Sequence, residues 1–195
     1  MASPSTDAFA LWVGLDVEPV EISLPSDSGF TLRHYREDDD DGTEPVFLGD
    51  DGVAYVFRST EGLIEFIRSD EPHDLTELEG WEDVKTASDI DVTPDEMGIY
   101  QLDVVVQMLR AGADSWDHEL LVLAGECARD LGKYADLPDV LAALAPGSPL
   151  DSLDDDLRNG GLLARRRLRK LDGDTLAIGW RSVISRLSAA VDFRD

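Results

Sequence analysis

Cysteine is nearly absent from this 195-residue chain, Cys127 being the single one. No internal disulfide can form, and nothing suggests an oxidising compartment. Histidine is scarce too, with three residues scattered along the chain. One Cys and three scattered His cannot supply a zinc site, and no metal or other cofactor is expected. Basic residues are few: 17 Lys and Arg stand against 42 Asp and Glu, a formal net charge of −25. Such a charge repels phosphate backbones and anionic membranes and favours basic proteins or cations. No apolar run approaches the ~18 residues that a membrane span requires. The opening MASPSTDAFALWVGLDVEP lacks a basic n-region, which argues against a secretory signal and for a cytoplasmic protein. Neither GxxxxGK[ST] nor GxGxxG occurs, and no sequence pattern places a base beside Cys127, which reads as a small apolar filler in a helix. These absences point away from an enzyme and toward a protein that works by binding.

What is present supports a folded α+β chain. At 43% hydrophobic and 30% charged it has enough apolar surface for a core. Residues 1–16 read as a mobile arm. Its Phe9–Leu15 stretch is either an extra strand or flap over the body or a short segment that docks on a partner. Val20, Ile22 and Leu24 alternate with polar residues, Pro25 to Gly29 reads as a turn, and Phe30 to Tyr35 alternates again. Glu37 to Asp41 breaks the pattern with five like charges. Val46–Leu48, the Asp-Gly turn at Asp51-Gly52 and Val53–Phe57 form a hairpin. Residues 17–92 are therefore expected to be a four-stranded antiparallel sheet with a packed helix, capped at Ser59 or Thr60 and carrying Leu63, Ile64 and Ile67. A further short helix over Leu75–Val84 puts Trp81 in the core.

Residues 93–195 read as a helical bundle packed with the first part as one body. Thr93-Pro94-Asp95-Glu96 has the form of a capping box, after which Leu102, Val105, Val106 and Leu109 recur at helical spacing up to Gly112, the Val run keeping a strand as the lesser alternative. A central helix is expected from Ser115 to about Tyr134. Two shorter helices follow, over Pro138–Leu144 and from Ser148 to the Gly160-Gly161 stop. The last helix is capped at Asp174 and has Leu176, Trp180, Val183, Ile184, Leu187 and Val191 along one stripe. Within Asp114–Glu119, Asp114 and His118 lie one turn apart and suggest ligands, but acids at a helix start are the simpler reading.

The functional signal is a reversal of charge. Residues 1–159 hold 9 Lys/Arg against 38 Asp/Glu, whereas residues 160–195 hold 8 against 4. The helix over Leu162–Leu171 carries Arg165, Arg166, Arg167, Arg169 and Lys170 around a narrow apolar stripe of Ala164, Leu168 and Leu171. These five are the candidate partner-binding residues. Their alternatives are docking on the chain's own Asp154-Asp155-Asp156 or on its sheet, on a protein partner including a second copy, or on nucleic acid. The candidate acidic face is Asp38, Asp39, Asp40 and Asp41 together with Asp154, Asp155 and Asp156. The run at 37–41 lacks the ligand spacing of a calcium loop and reads as solvated.

The segments 57-FRSTEGLIEFIRSDEPHDL-75, 115-SWDHELLVLAGECARDL-131, 145-APGSPLDSLDDDLR-158, 164-ARRRLRKL-171 and 179-GWRSVISRLSAAVDFRD-195 carry a resemblance. They are similar to an actinobacterial family of acidic cytoplasmic proteins often labelled "primosomal protein", a label that implies replication restart. More distantly, residues 20 to about 140 resemble the N-terminal half of a mycobacterial chaperone-like protein of the accessory Sec export pathway. The resemblance implies an adaptor- or chaperone-like role with a protein partner. Its replication label implies the alternative of a nucleic-acid-associated factor acting through 164–171.

Overall fold

The computed structural model describes residues 16–38, 42–86, 88 and 92–195. Phe9–Leu15 and Asp39–Asp41 lie outside the described residues. The described residues form two units, one of those within 16–22, 27–99 and 190–195, the other of 23–26 and 100–189.

In the first unit, alternation produces the strands. In β1 (Val17–Leu24) the residues Val17, Val20, Ile22 and Leu24 are buried and the residues between them are not. A two-residue turn leads to β2 (Asp27–Asp38), which pairs antiparallel with β3 (Gly42–Phe47) from Arg33↔Phe47 to Asp38↔Gly42. The strand thus runs on through Glu37 and Asp38, where the charge run was expected to break it. Neighbouring strand residues point to opposite faces, so the like charges are not side by side. Opposite them stand Thr43 and Gly42, and one step earlier Arg36 meets Glu44 at 2.6 Å. The two residues β4 (Gly49–Asp50) turn through Asp51 and Gly52, both with positive φ, into β5 (Val53–Phe57). This is the Asp-Gly hairpin expected from sequence.

The sheet departs from the antiparallel expectation at its ends. Its order is β4-β5-β2-β1-β6, with β3 on β2 and β7 on β5. The strand β6 (Ile99–Gln101) follows a single 3-10 turn over Glu96–Gly98, so the capping-box segment does not open a long helix. Asp95 caps this turn, its Oδ1 accepting from the Met97 and Gly98 amides. The strand β7 (Val191–Arg194) pairs parallel with β5, from Ala54↔Val191 to Phe57↔Arg194, so Val191 is a strand residue and the sheet is mixed. Side chains hold β7 in place. The Arg194 guanidinium lies 3.3 Å from the centroid of the Tyr55 ring, and Arg58 bridges Asp27 (2.7 Å) and Asp195 (2.8 Å). The Arg58 hydrogen bond and the Ser28 amide keep the Asp27 carboxyl below its ordinary range.

Helix α1 (Thr60–Ile67) buries Leu63, Ile64, Phe66 and Ile67 and is capped by Ser59, whose hydroxyl accepts from the Gly62 amide at 3.1 Å. A 3-10 turn over Asp74–Glu77 and the one-turn helix α2 (Trp81–Val84) stand where one short helix was expected. Leu75, Trp81 and Val84 are buried as anticipated.

The second unit is helical: α3 (Leu102–Arg110), α4 (His118–Tyr134), α5 (Pro138–Ala143), α6 (Pro149–Asn159), α7 (Gly161–Leu168) and α8 (Gly173–Leu187). Leu121, Leu123, Ala124, Cys127, Ala128 and Leu131 of α4 are buried, covering more than one face as a central helix must. Two caps shift from expectation. Asp117 rather than Ser115 caps α4, accepting from the Leu120 amide at 3.2 Å. Asp172 rather than Asp174 caps α8, accepting from the Asp174 amide at 3.1 Å. In both cases the cap stands one place ahead of the first helical residue, where its oxygen reaches the free amides. Eight helices and a seven-stranded mixed sheet among the described residues give an α+β fold.

Two residues test the cores separately. A Cβ on Gly29 would sit 2.3 Å from the Phe57 carbonyl oxygen, where β2 and β5 cross closely. Gly29→Ala should cost on the order of 1–3 kcal/mol by overpacking. Trp180, 3% exposed in the α8 stripe, should cost ~3–5 kcal/mol as Trp180→Ala. Denaturant melts followed by circular dichroism measure both, and an unchanged midpoint would contradict the packing described for that unit.

Candidate functional site

In the first unit, the inward positions of α1, the 3-10 turn and α2 are apolar, which leaves their acids outward. Glu61, Glu65, Asp70, Glu77, Glu79 and Asp83 are all exposed, and none forms an ion pair among the described residues. They make an acidic ridge over residues 61–83. Beneath it His73 is 5% exposed, its Nδ1 accepting from the Leu75 amide at 3.2 Å and its ring 4.5 Å from that of Trp81. Burial pushes the imidazole down to about 4, the nearby Asp74 opposing this only in part.

In the second unit, the Gly160-Gly161 pair, both with positive φ, reverses the chain between α6 and α7. Arg167 folds back onto Asp156, Nε–Oδ1 2.6 Å and Nη2–Oδ1 2.5 Å, and Arg169 reaches Asp114 at 2.9 Å. The expected self-docking of the two helices is thus present, and it neutralises only part of the basic cluster. Arg165, Arg166 and Lys170 are exposed and form no ion pair among the described residues.

Of the acids at 154–156 only Asp155 is exposed. Asp154 bonds Arg129 at 3.0 Å and Arg158 at 3.1 Å, and Asp156 holds Arg167. This triplet serves the inside of the helical unit more than its surface. Asp38 ends β2, its side chain outside the described residues, as are Asp39, Asp40 and Asp41. The Asp114–Glu119 cluster is resolved into a cap at Asp117 and an ion pair at Asp114. Among the described residues no group of three or more His, Cys, Asp or Glu is gathered for a metal ion.

Two features escaped the sequence reading. The acidic ridge was legible as the complement of the apolar spacing in 61–83. Leu162 and Leu163 are 82% and 70% exposed. With helical residues about 100° apart they fall off the stripe of Ala164 and Leu168, which is the signal that marks them as outward.

The His73 shift has a pH consequence. Between its unfolded value near 6.5 and about 4, the unfolded chain binds a proton that the folded chain refuses, so this group's stabilisation is complete above that window and lost through it as pH falls. The contribution reaches up to about 3 kcal/mol. A His73→Gln chain should lose less stability than the parent between pH 7 and pH 4 in denaturant titrations; equal losses would remove His73 as the source. At α7, Arg167→Ala leaves the buried Asp156 carboxylate without its cation and should lower the melting temperature. Adding Asp156→Asn should recover part of that loss, and no recovery would show that the pair does not tie α7 to α6.

A family model described as the SatS C-terminal domain matches residues 17–188. A crystal structure of a SatS C-terminal domain in complex with bromine superposes with a TM-score of 0.80 at 24% identity, covering 99% of this chain and 100% of that one. At that identity the likeness establishes the fold. A search of curated proteins finds no match, and none of the matches carries a primosomal description. The relation to the chaperone-like protein of the accessory Sec pathway stands, but its extent changes. The matching part is a C-terminal domain, not an N-terminal half, and the match continues past residue 140 through α7 into α8. The chain therefore belongs to the family of the SatS C-terminal domain.

Proposed function

We propose that the protein is a non-enzymatic, chaperone-like binding protein of the cytoplasm that holds basic protein segments on the acidic ridge of its first unit and serves an accessory export route. The observation that carries this reading is the set of exposed carboxylates Glu61, Glu65, Asp70, Glu77, Glu79 and Asp83, which form no ion pair among the described residues. Several cations of this unit are engaged away from the ridge, Arg33 with Glu18, Arg36 with Glu44 and Arg58 with Asp27 and Asp195, while Lys85 and Arg194 take Glu82 and Glu71 of the same stretch. The six named acids keep their field for a ligand. At physiological ionic strength that field reaches about 8 Å, enough to select a Lys- or Arg-rich stretch at contact and to release it when salt rises. Family membership supports the chaperone-like role, and a protein partner follows from it. Among the described residues no helix is long and apolar enough to cross a membrane.

An unfolded basic polypeptide is the appropriate probe. The protein should slow its aggregation, read by light scattering, and do so less at high salt. Glu65→Lys, Glu77→Lys and Glu79→Lys combined should remove most of the effect while leaving circular dichroism unchanged. Suppression that survives both salt and the triple reversal would place the binding elsewhere.

A further inference from the structure

The outward side of α7 combines two features that a helix in a water-soluble surface rarely leaves open together. Ala164 and Leu168 are its buried residues. At about 100° per residue the opposite side centres on Arg166, with Leu162 and Leu163 one turn before it and Lys170 one turn after. Arg165 flanks this stripe. Both leucines are largely exposed, and Arg165, Arg166 and Lys170 have no ion partner among the described residues. In a chain of net charge −25, three cations left unspent within six positions are conspicuous, since carboxylates outnumber cations 42 to 17 over the whole chain.

We infer that α7 is a docking site for an acidic protein segment that also carries apolar side chains, a partner opposite in charge to the one the ridge takes. Such a segment, lying along α7, sets its apolar residues on Leu162 and Leu163 and its carboxylates further along, about 6 Å on at Arg166 and about 12 Å on at Lys170, just past the end of the helix, at 1.5 Å per residue. The complementarity is double, apolar at one end and ionic at the other, which fixes direction as well as affinity. The width of the site selects the class of partner. The cationic strip is a single helix wide, and next to it Arg167 and Arg169 are already neutralised by Asp156 and by the exposed Asp114. A broad anionic surface, whether a membrane or a nucleic-acid duplex, would meet those acids together with the cations. A single polypeptide segment meets the strip alone. The site is independent of the acidic ridge and is tested separately from it.

The probe is a synthetic amphipathic helix with Leu along one face and Glu along the other, followed by fluorescence anisotropy with the full chain. A second peptide has Lys in place of Glu. The Glu peptide should bind saturably. Arg165→Glu, Arg166→Glu and Lys170→Glu combined should weaken it roughly tenfold or more, and Leu162→Ser with Leu163→Ser should do likewise. Arg181→Glu, a change at an exposed cation of α8, should leave it unaltered. The triple reversal should leave binding of the Lys peptide intact, which separates failure here from failure of the ridge. The glutamine versions of the three cations serve as a second set in case the reversal disturbs folding. No binding of the Glu peptide, or binding indifferent to both sets, overturns the inference. So does α7-dependent binding of phosphatidylserine vesicles or duplex DNA in place of the peptide, which would assign the strip to lipid or to nucleic acid.

Discussion

Scarcity of cations governs this structure, because a carboxylate drawn away from water must find one of only 17 Lys and Arg among 42 Asp and Glu. Where the chain folds back on itself, an arginine stands at the crossing. Arg58 ties β2 and the C-terminal residue to the end of β5. Arg129 and Arg158 converge on Asp154, joining α4 to α6, and Arg167 ties α7 to α6 through Asp156. The planar guanidinium suits these places, since it offers donors in a fork and serves two carboxylates at once. Exposed pairs of this kind contribute ~0–1 kcal/mol each, so their effect is on orientation more than on stability. The less exposed members, Asp154 and Asp156, are different. Removing their arginines would strand a carboxylate away from water, and the penalty for that is larger than the benefit of the pair.

Local chemistry made much of the fold legible. The alternation of β1, the Asp51-Gly52 turn, the Ser59 cap and the Gly160-Gly161 break each depend on residues within a few places of one another, and each stands as expected. The strand β7 could not be read that way. Val191 continues the 3–4 spacing of α8, and only its pairing with Ala54, a partner far away in sequence, makes it a strand. Arg194 on the Tyr55 ring and Arg58 on Asp195 are what favour that pairing over another helical turn. The break expected at Glu37 failed for a related reason. Charge repulsion along a strand is judged by the residues across the ladder, and these are Thr43 and Gly42.

The candidate surfaces were legible unevenly. The basic cluster was visible as composition, but its division into neutralised and open members needed coordinates. Arg167 and Arg169 pair with acids, and among the described residues Arg165, Arg166 and Lys170 form no ion pair. The acids at 154–156 looked like a face because they are consecutive, yet a helix turns consecutive residues to different sides. Asp154 and Asp156 turn toward arginines and Asp155 alone stays out. The ridge at 61–83 went unnoticed for the opposite reason. Its acids are spread over three short elements and are left outward because Leu63, Ile64, Leu75, Trp81 and Val84 all turn inward.

Surfaces of opposite sign can coexist in one chain because screening makes electrostatics local. With a Debye length of about 8 Å, a cation on α7 responds to the acids of α6 and hardly to those of a distant element. Net charge then governs solubility and the general repulsion of anions, while each short-range surface follows its own immediate neighbours. On that scale the open cations of α7 are costly to the folded chain. Arg165, Arg166, Arg167, Arg169 and Lys170 fall within six positions, and like charges a turn apart disfavour a helix. Two bonds to acids relieve part of this repulsion. The remainder, together with two leucines left in water, persists in a helix anchored by little more than Ala164 and Leu168. A carboxylate at any outward position of α7 would relieve it within the helix; the sequence has none there, so the strip stays open to carboxylates from a partner.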